Sequence, residues 1–232
     1  MAEGFANGVI RWRWLILIIT LMGVMAAGKG GENITFSSGY RVFFAEGNEQ
    51  LEAFDALQNT YSKTDNVMIV MTPKEGDIFT QPFLTAVHDV TEQSWQLPWS
   101  TRVDSITNYQ HTEGFEDDLV VEDLVEDPKV LDKAALTRIK QITLNEPVIV
   151  KRLLADDGRL AVVNTTVNMP EKSETETPEL VAKVRALVDQ MAEKYPNVEF
   201  RITGMVMLNN AFSEMAQKDM GTLVPMMFVV LI

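Results

Sequence analysis

Val67-Met68-Ile69-Val70-Met71 (VMIVM) is a continuous apolar run of strand length, and the residues downstream of it decide the fold class. Such a run reads as a strand buried on both faces. Thr80 then stands as an N-cap with Pro82 in the first turn, where a missing N–H costs nothing. Phe83, Leu84, Val87, Val90 and Trp95 recur at helical spacing, and Pro98 stops the helix. Arg102 to Tyr109 (RVDSITNY) sets Val103, Ser105 and Thr107 on one face, as a strand does. Together these make one strand–helix–strand unit.

The unit recurs. Leu160–Val167 (LAVVNTTV) is strand-like, and Thr177-Pro178 is a second cap-plus-proline start. Leu180, Val181, Val184, Leu187, Val188 and Met191 form the stripe, Pro196 ends it, and Val198–Ile202 (VEFRI) returns. First strand to second is 36 residues from Val67 to Val103 and 37 from Ala161 to Val198, with the copies offset by 94 and 95. Equal spacing, caps and stops read as an internal duplication. Two right-handed βαβ units, about residues 62–112 and 148–204, predict an α+β domain of ferredoxin-like type. Its sheets would be mixed, with helices on one face.

Working outward, Tyr40–Phe44 (YRVFF) suits a short strand, and Asn48 caps a helix bearing Leu51, Phe54, Leu57 and Tyr61. A turn at Lys63-Thr64-Asp65-Asn66 leads into the first unit. Between the units, the acids of Glu113–Asp127 interleave with Leu119, Val121 and Leu124-Val125, the pattern of an edge strand guarded by charge. That acidic stretch has no Asp-x-Asp-x-Asp-Gly spacing, so calcium is not expected there. A helix is predicted from about Lys129 to Ile142. A hairpin is predicted from Val148–Leu154 through Asp156-Asp157-Gly158 to Leu160–Val167.

Both ends are apolar. Trp14–Ala27 (WLILIITLMGVMAA) contains no charge, and with Val9, Ile10 and Gly28 the span approaches the ~20 residues that cross ~30 Å of hydrocarbon. Arg11 and Arg13 flank it with Trp12 and Trp14, which are suited to the headgroup level, so the helix is expected to run from the cytoplasm outward. The competing reading is a cleaved signal peptide ending at Ala26-Ala27. Leu223–Ile232 (LVPMMFVVLI) tips the balance: it is ten residues without charge, read as the start of a second, truncated crossing. Just before it, Leu208, Ala211, Phe212, Met215 and Ala216 define an amphipathic helix. That helix could pass motion of the crossing into the outer domain.

The 232 residues are 46% hydrophobic with net charge -13, which argues against nucleic acid as a partner. Cysteine is absent, so neither a disulfide framework nor a thiolate metal site exists. The 13 methionines read first as core filler and second as an adaptable apolar surface. His88 and His111, the two histidines, are far apart and lack a ligand at i+4. Asn33-Ile34-Thr35 and Asn164-Thr165-Thr166 match a glycosylation sequon, meaningful only in a eukaryotic secretory setting. Trp95 and Trp99 bracket Pro98 and read as packing before a ligand wall. With no nucleophile elbow and no phosphate loop, no catalytic, cofactor-binding or metal-ligating residue is assigned, and no cofactor is implied.

In order along the chain, Arg41-Val42-Phe43-Phe44, Asn66–Pro73 (NVMIVMTP), Arg102–Tyr109 with Glu113, Asp118–Leu124 (DLVVEDL), Gly204, and Asp219-Met220 ahead of Pro225 resemble the RND exporters. The MMPL-type or hopanoid-exporter-like branch is the nearer match. The resemblance implies the N-terminal part of a proton-driven inner-membrane exporter of hydrophobic or lipid-like substrates, not an enzyme. Residues 1–8 would be cytoplasmic, 9–28 the first crossing, 29–220 a periplasmic porter domain, and 221–232 the start of the second crossing. The interface anchors would be Arg11, Trp12, Arg13 and Trp14. Partners implied are the lipid bilayer, the substrate, the C-terminal part of the same polypeptide and, as an option, further copies of the chain. The substrate path would run between the βαβ units, lined mostly by apolar groups. The relay acids would lie elsewhere, since neither apolar run holds one. Two alternatives stand: a single-span anchored periplasmic binding or scaffold module that transports nothing, and a component of protein-export machinery.

Overall fold

The structure, a computed structural model, describes residues 10–30, 44–45, 47–61, 65–115, 118–170, 172–173 and 175–231. The sequence expectations at residues 40–43, at the 62–64 turn, at Asn33–Thr35, and at Glu116 and Asp117 fall outside these. Two compact units divide the chain, Met1–Phe36 and Ser37–Ile232. In the first, helix α1 (Arg13–Gly30) exposes apolar side chains all round, Leu15 through Met25 among them. Among the described residues, no helix is long and apolar enough to cross a membrane.

In the second unit, strand β1 (Asn66–Pro73) is the axis of a four-stranded sheet. Val67, Ile69 and Met71 are fully buried, while Met68 and Val70 are half-buried. The apolar run is thus not sealed on both faces: only its odd-numbered side is covered, because successive side chains point to opposite faces of a strand. The other strands are β2 (Ser100–Asp104), β5 (Ala161–Val167) and β6 (Val198–Thr203), in the order β2-β5-β1-β6. Every neighbouring pair is antiparallel, with Ile69 opposite Val163 on one side and Ile202 on the other. The two predicted units therefore share one antiparallel sheet rather than forming mixed sheets. A helix ~10 Å across covers two strand spacings of ~4.8 Å, so each crossover leaves a one-strand gap that the other unit fills.

Helices α3 (Gln81–Ser94) and α5 (Glu176–Lys194) cover the buried face. Phe83, Leu84, Val87 and Val90 of the first, and all six stripe residues Leu180 to Met191 of the second, are buried in the core cluster. Trp95 is exposed, unlike the rest of its stripe, while Trp99 packs against the core. Thr80 sits at the N-cap without a side-chain cap bond. The second helix begins at Glu176 rather than Thr177-Pro178, because the Glu176 carboxylate accepts the Lys172 and Ser173 N–H groups at 2.9 and 3.2 Å.

The connecting segments depart further from expectation. Helix α2 (Glu49–Thr60) is capped by Asn48, whose Oδ1 accepts the Leu51 N–H at 2.9 Å, yet Phe54, Leu57 and Tyr61 are exposed. The acidic stretch is one arm of a hairpin: β3 (Gln110–Phe115) pairs with β4 (Asp118–Asp123), His111 opposite Glu122. The helix expected from Lys129 starts later. A 3₁₀ turn at Pro128–Val130 precedes α4 (Lys133–Asn145), which Asp132 caps through the Ala135 N–H at 2.8 Å. The expected hairpin reduces to single bridges, Val150 to Leu154 and Leu154 to Ala161, although Gly158 takes the predicted turn at φ 65°. Residues 149–154 instead close on themselves, the Ile149 carbonyl accepting from Arg152, Leu153 and Leu154 at 2.8–3.2 Å.

Helix α6 (Met205–Leu231) is a single 27-residue element containing Pro225. Its buried positions are Val206, Asn210 and Ser213, whereas Leu208, Phe212 and Met215 of the predicted apolar stripe are exposed. The helix thus turns a largely polar side to the body and its apolar side outward. Met205, Met215, Met220, Met226 and Met227 go with it as surface residues, whereas Met169 and Met191 are core filler and Met207 packs against the core.

Candidate functional site

Because β1 alternates, its even-numbered residues look away from the helices. On that open face Asn66, Met68, Asn164, Thr166, Arg102 and Asp104 stand on adjoining strands. The 148–154 loop rises at their side with Val148, Lys151, Arg152 and Leu153, and Tyr109 closes another wall of a groove of about 560 Å³. The size suits a small-molecule site. Arg102 Nε donates to Asp104 Oδ1 at 2.8 Å, leaving its terminal nitrogens toward solvent. Lys151 holds φ 69°, a left-handed conformation uncommon for a lysine, fixed by its N–H donating to the Leu154 carbonyl at 2.8 Å. Burial, with Glu146 beside it, pushes the Tyr109 hydroxyl above its ordinary pKa, so it stays protonated and neutral.

The groove shares Asn66 with the root of α6. Asn66 Oδ1 accepts the Met205 N–H at 3.1 Å, capping α6 from another element, and Asn66 Nδ2 donates to Asn164 Oδ1 at 2.8 Å. Gly204 joins β6 to α6 at φ 111°, where a Cβ would lie 2.5 Å from the Asn66 carbonyl oxygen. Only glycine fits that approach. Further along, Arg185 of α5 grips the Glu214 carboxylate with both terminal nitrogens at 2.7 and 3.0 Å. That pairing raises the Arg185 pKa and lowers the Glu214 pKa.

On the covered side, the Asp89 carboxylate of α3 receives Lys194 Nζ at 2.5 Å and the Tyr195 hydroxyl, both from the end of α5. Burial pushes the Asp89 carboxyl up, but Lys194 and Tyr195 outweigh it and hold the group below its ordinary value. This cluster clamps the two helices together.

Between the two βαβ units the described residues leave a pocket of about 320 Å³ at one end, where Pro73, Pro82 and Phe83 of the first meet Tyr195, Pro196 and Val198 of the second. Their strands interleave, and the space between their helices is filled by the core that runs from Ile69 to Val184. The larger groove lies on the far side of the sheet, and its lining is more polar than apolar.

A family model described as MMPL family matches residues 45–232 of the chain. The chain belongs to the MMPL family. No curated protein matches it. MMPL proteins are membrane transporters of the RND exporter type, and the matched residues include Asn66–Pro73, Arg102–Tyr109, Asp118–Leu124 and Gly204, whereas Arg41–Phe44 precedes them. The match spans the groove, the Gly204 junction and α6, and begins after α1.

Arg11, Trp12, Arg13 and Trp14 lie together at the start of α1, outside the MMPL match, with the Arg13 guanidinium 6.0 Å from the centre of the Trp14 ring. Both tryptophans are exposed. His111 pairs with Glu113 at 3.4 Å and His88 lies 3.9 Å from Asp89, so each histidine sits beside a carboxylate. In the second sequon Thr165 is fully buried and Asn164 is bonded within the sheet. Sequence reasoning missed Arg102, Lys151, Arg152 and the Asn66–Asn164 pair. Alternation alone puts Asn66 opposite Val67, but the crossing that brings 151–152 beside residue 102 leaves no local signal.

Proposed function

We propose that this MMPL-family chain is the N-terminal part of a proton-driven RND-type inner-membrane exporter of hydrophobic or lipid-like substrates. Residues 29–220 would form a periplasmic porter domain, residues 9–28 a first crossing, and residues 221–232 the start of a second. The observation that carries the reading is the surface of α1. Leu15, Ile16, Leu17, Ile18 and Ile19, which step right round the helix, are all exposed, an apolar area that water opposes and hydrocarbon does not. The far end of α6 repeats this with Leu223 and Phe228 to Leu231. Arg11 and Arg13 on the N-terminal flank favour a cytoplasmic start, and Trp12 and Trp14 suit the headgroup level. The strand order β2-β5-β1-β6 with two helices on one face supports a ferredoxin-like porter domain.

The test is topological. Alkaline phosphatase fused after Asp127 is expected to be active in a bacterial host, and a fluorescent protein at the same place to stay dark. A cytosolic signal there would sink the assignment. In sealed vesicles the 232-residue chain alone is expected to export nothing, and export by it would contradict a role as one part of a pump. If the bilayer anchor is found but no longer reading frame with relay acids exists, the anchored binding module is the better description.

A further inference from the structure

We infer that the groove on the open sheet face is a binding site for a phosphate group carried by a small organic ligand. The inference starts from charge. The chain has 33 acidic and 20 basic residues, yet the groove is lined by three cations, Arg102, Lys151 and Arg152, and one acid, Asp104. A local excess of positive charge on an acidic body concentrates anions there.

The two arginines are also poised rather than self-satisfied. Asp104 occupies only Arg102 Nε, so the two terminal nitrogens remain for a fork-shaped contact with an oxyanion. Arg152 makes no ion pair among the described residues, and Lys151 is 3.6 Å from Asp156, which lies outside the groove. The loop that presents Lys151 and Arg152 is held in place: the Ile149 carbonyl is closed by three N–H donors, and Ile149 and Leu154 root the loop in the core. Asn164 and Thr166 add neutral donors on the groove floor. Met68 and Leu153 supply an apolar side that bare phosphate would not use. A phosphate on an organic body fits both halves of that lining, whether it comes as a free phosphomonoester or as a lipid headgroup. The site requires no transport, so it stands or falls apart from the exporter reading.

The test uses the full chain in detergent micelles and phosphate-free buffer. Glycerol 3-phosphate and lysophosphatidic acid are titrated by calorimetry and by phosphorus NMR, with monoacylglycerol as the neutral counterpart. Saturable binding of either phosphate is expected, weakened at least about tenfold in R102Q/R152Q, and changed less than about twofold in R159Q, whose cation lies outside the groove. Binding of both probes identifies a phosphomonoester site, and binding of lysophosphatidic acid alone a lipid headgroup. R152E on its own, which breaks no ion pair among the described residues, must lower binding with an unchanged melting curve, so that misfolding cannot imitate the result. No binding of either phosphate, equal binding by R102Q/R152Q or R152E, or equal binding of monoacylglycerol overturns the proposal. A cytosolic topology signal would overturn the exporter reading and leave this result untouched.

Discussion

The two faces of the central sheet are built from the same strands and have opposite chemistry. Under α3 and α5, Val67, Ile69, Met71, Val163 and Val103 pack dry against two helix stripes. One residue along each strand, Asn66, Met68, Asn164, Thr166, Arg102 and Asp104 face a groove with charge in it. Stability and recognition are thus separated here by a single step of the pleat. A substitution at one position should weigh on folding, and the same change at the next should weigh on binding.

The largest effect should come from Ile69→Ala. It opens a cavity in the covered face and is expected to lower stability by about 3–4 kcal/mol, whereas Met68→Ala next door should change it by less than about 1 kcal/mol. Denaturant melts of the full chain in micelles measure both, and equal losses would erase the contrast between the faces. Gly204→Ala should come next at about 2–3 kcal/mol, since its Cβ collides with the Asn66 backbone at 2.5 Å while φ stays at 111°. Because Asn66 caps α6 and lines the groove, that variant should also loosen the first turn of α6, seen as faster amide exchange at Met205 to Leu208. Unchanged exchange there would separate groove from helix.

Smaller shifts come from the clamp on the covered side. Asp89→Asn removes the charge that Lys194 pairs with, leaving a neutral amide oxygen as acceptor, and should lower stability by about 1 kcal/mol, a value discounted for solvent at a partly exposed site. Asp89 is held below its ordinary value, so its contribution is complete above about pH 4 and fades as pH falls through the folded value. The Lys194 pKa is raised by Asp89, and the Tyr195 pKa by burial and then by Asp89. Their share is complete below about pH 10 and fades as pH rises through their folded values. A stability plateau between those limits is expected in the wild type, with shallower shoulders in the variant. Arg185→Gln should do least, about 0.5 kcal/mol, because its bidentate contact with Glu214 is half-exposed, and added salt should shrink even that.

Much of the body was legible from local pattern. The stripes Phe83 to Val90 and Leu180 to Met191 report a buried helix face directly, since 3.6-residue periodicity is a property of the chain itself. The Asn48 cap and the Gly158 turn are equally local. The 148–154 loop was misread because a strand-like composition does not reveal whether a partner edge is free, and β5 was already paired on both sides.

The order of residues alone therefore specified two strand–helix–strand units, their buried stripes, the acidic balance and the apolar ends. Periodicity, charge and length need no long-range contact to be counted. Long-range packing was required to interleave the units, to place the larger groove behind the sheet, and to bring Arg102 beside Lys151 and Arg152. It also turned the apolar side of α6 outward. Those outcomes depend on which distant strands fill the gap left by a helix two strands wide, and no spacing within one segment encodes that choice.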